Sequence, residues 1–236
     1  MDLATRMKNY ESVFKQKLVP KMPAIIRVDG KTFSSWTKGL KTPFDNRFYA
    51  AMAKTAMYMV NNIQGAVLAY GQSDEISILM RDYDLPNSQA WFDGKIQKIA
   101  SVSASMATAN FNSSAHRLGI DHGELAFFDS RVFNVPMNDV INYFIWRQQD
   151  FMRNSLQMVA RTYFSHKELH GFSIEGIKQK LLNMEPPVDW HDYENIYKHG
   201  YCYVKGAENI DLLTPRFMEF REYITFHLYK NEDNNE

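Results

Sequence analysis

The sequence predicts an α+β fold: an antiparallel sheet of βαββαβ order with helices on one face, followed by a helical extension. Three observations carry that expectation. A short aliphatic run at 24–28 ends at the turn pair Asp29-Gly30. Two strand-like runs, 66–70 and 75–80, are separated only by Gly71-Gln72-Ser73-Asp74 and so form a hairpin. Helical patterns lie on either side of that hairpin, at about 45–62 and 88–115, and an extended stretch at 124–135 stops at Pro136.

Taken in order, residues 3–18 read as a polar helix leading into the first strand. The break Pro43-Phe44-Asp45-Asn46 precedes the helix at 45–62, with Asp45 or Asn46 as its N-cap. The helix at 88–115 is rich in Ala and Ser, which suits close packing. From 137 to 164 the pattern is helical again. There Leu156, Val159 and Tyr163 are spaced as a buried stripe, while Arg147, Asn154 and Arg161 share another face. A further helix at 173–183 starts after Gly171 and stops before Pro186-Pro187. Beyond it come short aromatic stretches, in which Tyr193, Tyr197, Tyr201 and Tyr203 read as packing groups rather than base-stacking groups, and then a helix or strand at 214–229. The polar last residues read as frayed. No repeat or linker divides the chain, so 1–236 reads as one domain, with a core of about 22–136 and a helical extension of about 137–236.

With 27 basic and 27 acidic residues, no global positive field advertises nucleic-acid binding, and any such surface is local. A single cysteine, Cys202, excludes an intramolecular disulfide and a Cys-rich zinc site. No apolar run approaches the roughly 18 residues that span a bilayer, and the charged N-terminus lacks the apolar stretch of a signal peptide. A cytoplasmic location with no membrane partner is the expectation.

The chemistry points to the acids. Asp29 follows the first strand, and Asp74 and Glu75 sit at the hairpin tip. If that strand lies beside the hairpin, the three converge on one edge, where each resists ionisation unless a divalent cation relieves the repulsion. Mg²⁺ takes one or two carboxylates together with substrate phosphates. Neighbouring strand residues point to opposite faces. Asp29 and Asp74 are therefore the expected metal ligands, with the Gly30 carbonyl as a further oxygen, and Glu75 is a second-metal ligand or an outer group. Asp-Gly is also a common turn, and acids at hairpin tips are often simply solvated, so spacing alone leaves both readings open.

Four blocks in order over residues 22–165 resemble the tRNA-histidine guanylyltransferase superfamily. They are Ile26-Arg27-Val28-Asp29-Gly30-Lys31-Thr32-Phe33, Ala69-Tyr70-Gly71-Gln72-Ser73-Asp74-Glu75, Phe128-Asp129-Ser130-Arg131-Val132 and Trp146-Arg147-Gln148-Gln149-Asp150. The resemblance implies a palm-like core within a single catalytic domain, with Asp29, Asp74 and Glu75 as catalytic acids and two Mg²⁺ ions per site. It implies ATP and GTP or other nucleoside triphosphates as substrates, tRNA as the partner whose 5′ end is extended in the 3′-to-5′ direction, and a homotetramer built as a dimer of dimers. Where eukaryotic members carry His-Ile-Asn-Asn, this chain reads Phe151-Met152-Arg153-Asn154-Ser155-Leu156. That form resembles the guanylyltransferase-like branch and favours templated repair of 5′-truncated tRNA over G addition to tRNA-histidine.

A triphosphate also needs cations and donors. Lys41 matches a family lysine near the nucleotide phosphates, and Ser73 sits in a turn whose amides can cradle phosphate. Arg27, Lys31, Thr32, Phe33, Lys95 and Lys98 complete the expected nucleotide-binding set, although lone lysines such as Lys95 and Lys98 read equally well as solvated surface. Arg131, Arg147, Arg153 and Asn154 are expected at the RNA, with ion pairs to Asp129 and Asp150 as the competing reading. A nucleotide cyclase is a second enzymatic possibility, but the hairpin lacks the Gly-Gly-Asp/Glu-Glu-Phe pattern. A non-catalytic RNA-binding protein on a palm fold is the alternative of another class.

Overall fold

A computed structural model describes residues 1–229. Its elements run α1 (Leu3–Ser12), β1 (Ala24–Gly30), α2 (Phe33–Trp36), α3 (Asn46–Asn62), β2 (Ala66–Gln72), β3 (Glu75–Met80), α4 (Ile96–Arg117), β4 (Phe128–Asn134), α5 (Val140–Tyr163), α6 (His166–Leu169), α7 (Ile174–Leu182), α8 (Asn195–His199), β5 (Tyr201–Val204) and α9 (Glu222–Thr225). The sheet order is β4-β1-β3-β2-β5, with every neighbouring pair antiparallel. The expected α+β sheet of βαββαβ order is present, with α3 and α4 packed together on one face.

Both faces of the central strands are covered, and this decides which polar residues are buried. Ile26, Val28, Ala69, Ile76 and Ile78 face the core shared with α3 and α4. Ile25, Leu68, Tyr70 and Leu79 face a second core, closed by Val140, Ile141 and Phe144 of α5 and by Phe217, Ile224 and Leu228. Every residue of β3 is therefore buried, including Glu75 and Ser77, and the hydroxyls of Ser77 and Tyr143 lie 2.8 Å apart. α5 joins the two cores. Its early residues close the second face, whereas Phe151, Leu156, Val159 and Ala160 belong to the helix-side core.

Several boundaries differ from the sequence reading. α1 stops at Ser12 and buries nothing, and the chain then turns so that Leu18 N–H donates to Gly94 O at 2.9 Å. α4 starts at Ile96 rather than near 88, because Phe92, Asp93 and Gly94 all take positive φ. Tyr163 leaves the expected stripe: as the last residue of α5 it is 43% exposed. The edge strand β5, read only as an aromatic stretch, has four residues and pairs with β2 from Leu68 to Gly71. The 214–229 segment is mostly irregular, with α9 and a 3-10 turn at Phe226–Leu228. The polar end expected to fray, 231–236, lies outside the described residues. Among the described residues no helix is long and apolar enough to cross a membrane.

Candidate active site

The β2–β3 hairpin is tighter than its sequence suggests. Gln72 pairs with Glu75, leaving Ser73 and Asp74 as a two-residue turn with Ser73 at φ 46. Gly30 N–H donates to the Asp74 carbonyl at 3.1 Å, which ties the end of β1 to this turn. The chain then bends at Thr32, in the left-handed region, into α2. Phe33 is held below Gly30 by rings from three elements, its centroid 4.9 Å from Phe128, 5.4 Å from Phe111 and 5.5 Å from Trp36. A Cβ on Gly30 would stand 2.3 Å from the Phe33 ring. Gly30→Ala must therefore displace a core ring or the β1 end. We expect it to cost about 1–3 kcal/mol of stability and to depress turnover further than that loss alone would, read by thermal melting beside single-turnover kinetics.

Around this turn opens a cavity of about 550 Å³. It is lined by Asp29, Gly30, Thr32, Phe33, Ser73 and Asp74 around the turn, and by Lys41, Phe44, Asp45 and Tyr49 from the segment that leads into and opens α3. Asp74 is pushed up to about 6, first by burial and then by the charge of Asp29. Asp29 is also raised, by burial and then by Asp129, its register partner on β4, against the pull of Arg27, Arg131 and Arg147. Among the described residues no group of three or more His, Cys, Asp or Glu is assembled to hold a metal. The cavity instead offers two crowded carboxylates with backbone oxygens beside them. That hard-oxygen set fits Mg²⁺, which completes its shell with water and phosphate.

Glu75, expected among the catalytic acids, is placed elsewhere. Its carboxylate accepts from Arg147 Nε at 2.7 Å and Nη2 at 2.6 Å, and also from Gln72 and Ser77. Both of its oxygens are thus engaged by one guanidinium, an arrangement that fits the outer-group reading. Arg147, expected at the RNA, is itself buried in that pair, with Asp150 at 3.3 Å and its guanidinium over the Trp146 ring.

The remaining candidates divide by position. Arg27 and Arg131 are cross-strand partners on the sheet face that carries Asp29 and Asp129. Arg131 lies 3.6 Å from Asp129, and Arg27 Nε is buried with no hydrogen-bond partner among the described residues. Lys31 and Lys41 are exposed beside the cavity, and the Lys41 amide donates to Asp45. Phe33 is core, so it can offer a ligand only its backbone. Lys95 and Lys98 are not brought to the cavity within this chain. They lie at the start of α4, where Ile99 packs beside Ala24 and Asn134, at the end of β1 that is about 17 Å along the strand from Asp29 at about 3.3 Å per residue. Arg153 and Asn154 are exposed on α5, Arg153 bound to Asp150 at 2.9 Å.

In the sequence Asp45 is legible only as a helix cap. It is a buried carboxylate in the cavity wall, paired with Arg47 at 2.7 Å and held well below the usual range by that guanidinium. The cap signal found the residue, but nothing local showed the cavity. Phe44 stacks on Tyr197 with ring centroids 4.6 Å apart, a contact between distant segments with no signature in either.

The family model described as tRNAHis guanylyltransferase matches residues 4–136. A tRNA(His) guanylyltransferase of Kluyveromyces lactis is 30% identical over 202 residues, covering 78% of this chain and 82% of that protein. A solved structure of a bacterial tRNA(His) guanylyltransferase-like protein in complex with ATP is 43% identical, with TM-score 0.93 over 97% of this chain and 100% of that one. One in complex with GTP is 38% identical, with TM-score 0.81 over 97% and 99%.

Proposed function

Because the chain belongs to the tRNAHis guanylyltransferase family, we propose that it extends the 5′ end of tRNA or a related RNA in the 3′-to-5′ direction, under the guidance of the opposing strand. The observation that carries this is the cavity lined by both Asp29 and Asp74, beside the Ser73-Asp74 turn. Likeness to the like-proteins solved with ATP and with GTP supports the nucleotide part of the reading. The Arg153-Asn154-Ser155 form of α5 supports repair of truncated ends over addition of a single G to tRNA-histidine.

Two steps are required. An RNA 5′-phosphate oxygen attacks the α-phosphorus of ATP, a new P–O–P bond forms and pyrophosphate leaves. The 3′-hydroxyl of a nucleoside triphosphate then attacks the activated 5′ phosphorus, and AMP leaves. Both are in-line displacements that depend on positioning and charge neutralisation. Two Mg²⁺ ions held by Asp29, Asp74 and the Gly30 carbonyl would supply neutralisation at the phosphates and the leaving group. Lys41 and the Ser73 turn amides hold the triphosphate. Arg27, whose buried Nε has no other partner among the described residues, and Arg131 hold the RNA phosphate. Arg147 acts at a distance, fixing Glu75 and with it the hairpin that carries Asp74. The same reading carries a cytoplasmic homotetramer, for which exposed Leu3, Tyr10 and Phe14 offer apolar surface.

The test of the chemistry is transfer of label from α-³²P-ATP to a 5′-monophosphorylated RNA. Covalent label that requires a divalent cation supports the proposal; a cyclic product formed without RNA, or no label on RNA that is nonetheless bound, refutes it. Lys41 is exposed and forms no ion pair among the described residues, so Lys41→Ala should raise the triphosphate KM about tenfold or more while leaving the melting temperature unchanged.

A further inference from the structure

Phe127 is 53% exposed, although both of its neighbours are core: Ala126 is 2% exposed, and Phe128 packs against Phe33 and Phe111. It does not sit on a loose loop. Ala126 N–H donates to Asn112 Oδ1 at 2.8 Å, and Asn112 Nδ2 donates back to Ala126 O at 2.8 Å. Phe128 N–H donates to Thr108 Oγ1, Trp36 Nε1 donates to Glu124 O, and Lys31 N–H donates to Phe127 O at 2.8 Å. The backbone on both sides is thus fixed, and the ring is held out into solvent.

Its direction follows from the strand alternation. Phe128 and Val132 face the helices, so Phe127, Asp129 and Arg131 face the other way. That is the face on which Asp29 stands opposite Asp129 and Arg27 opposite Arg131; continuing the register past Gly30–Phe128 sets Lys31 beside Phe127. A solvent-facing ring on a fixed backbone, with Lys31 beside it, the acids Asp29 and Asp129 about 7 Å along the same face and Arg27 and Arg131 about 13 Å along it, combines a stacking surface with a phosphate-binding cation at the edge of the carboxylate site. That combination holds single-stranded nucleotides.

We infer that Phe127 is a positioning residue on which the terminal base of the RNA end under extension stacks, with Lys31 neutralising the adjoining phosphate. This rests on the reading that RNA is extended at Asp29 and Asp74. An apolar contact between copies would not need Lys31 at its edge or the carboxylate site beyond it, which is why RNA is the favoured occupant.

The experiment uses a 5′-truncated tRNA carrying 2-aminopurine as its first nucleotide, with wild type, Phe127→Ala, Phe127→Leu and Phe127→Tyr. Binding should quench the fluorophore with wild type and with Phe127→Tyr, and not with the alanine or leucine variants. The RNA KM should rise about tenfold in the latter two, be restored by tyrosine, and leave the ATP KM and melting temperature unmoved. Extension by wild type with the same quenching and RNA KM in Phe127→Ala overturns this inference and leaves the nucleotidyl-transfer reading standing. No extension by wild type overturns both. A changed sedimentation mass in Phe127→Ala assigns the ring to a contact between copies and overturns it as well.

Discussion

Arg147→Ala is expected to lower the melting temperature by on the order of 10 °C. Its guanidinium makes two hydrogen bonds to Glu75, at 2.7 and 2.6 Å, and both side chains are nearly inaccessible to water. Removing one member of a buried pair strands the other charge, at a cost of about 3–5 kcal/mol, and for a chain of this size each kcal/mol moves the midpoint by about 2–4 °C. Gln72 and Ser77 still donate to Glu75, but neither supplies a charge. The double variant Glu75→Gln/Arg147→Met should regain most of the loss, because no unpaired charge is left behind. A shift below about 3 °C for Arg147→Ala would mean that the pair does not brace the hairpin. The prediction also separates two roles for this residue. An RNA-contacting arginine would weaken RNA binding with little effect on melting, whereas a buried brace does the reverse.

Asp29→Asn and Asp74→Asn should do the opposite to the fold. Each should lower nucleotidyl transfer by about 100-fold or more, since in the proposed reaction each removes a charge that would hold the cation at the phosphates, while the melting temperature stays equal to or above wild type. Both carboxyls are raised above their ordinary value by burial and by acidic neighbours, so the folded state holds their protons more tightly than the unfolded chain does. Without divalent cations, stability from Asp74 is therefore present at low pH and is lost as pH rises from near 3.8 to about 6. Asp74→Asn should flatten that decline, and added Mg²⁺ should raise the wild-type midpoint at neutral pH but not that of Asp29→Asn. A destabilised Asp74→Asn would mark the turn as structural rather than functional.

Much of this was legible in the sequence because it is local. The Asp29-Gly30 turn, the hairpin at Ser73-Asp74 and the Asp45 cap are each announced by a few consecutive residues, and the pairing of β2 with β3 follows from the hairpin. What escaped depends on distant segments. β5 is four residues long and earns its place only by packing, with the Tyr201 ring lying where a side chain on Gly71 would be. β3 shows no alternation because α5 returns to cover its second face, so Glu75 looks like an exposed acid until Arg147 is set beside it. Family resemblance groups Lys95 and Lys98 with the nucleotide, but the fold carries them to the Ala24 end of the sheet, away from Asp29. Phe127 read as part of an extended stretch, and only the clamp by Asn112 shows that its exposure is fixed in place.

The most direct measurement takes a set of tRNAs lacking the first 5′ nucleotide, with each of the four bases in turn at the opposing 3′ position, incubated with the protein, ATP, Mg²⁺ and all four nucleoside triphosphates. Templated 5′ extension predicts that the added nucleotide changes with the opposing base, always to its complement, and that Asp29→Asn adds nothing. Addition of G whatever the opposing base, or growth that survives in Asp29→Asn, would contradict it.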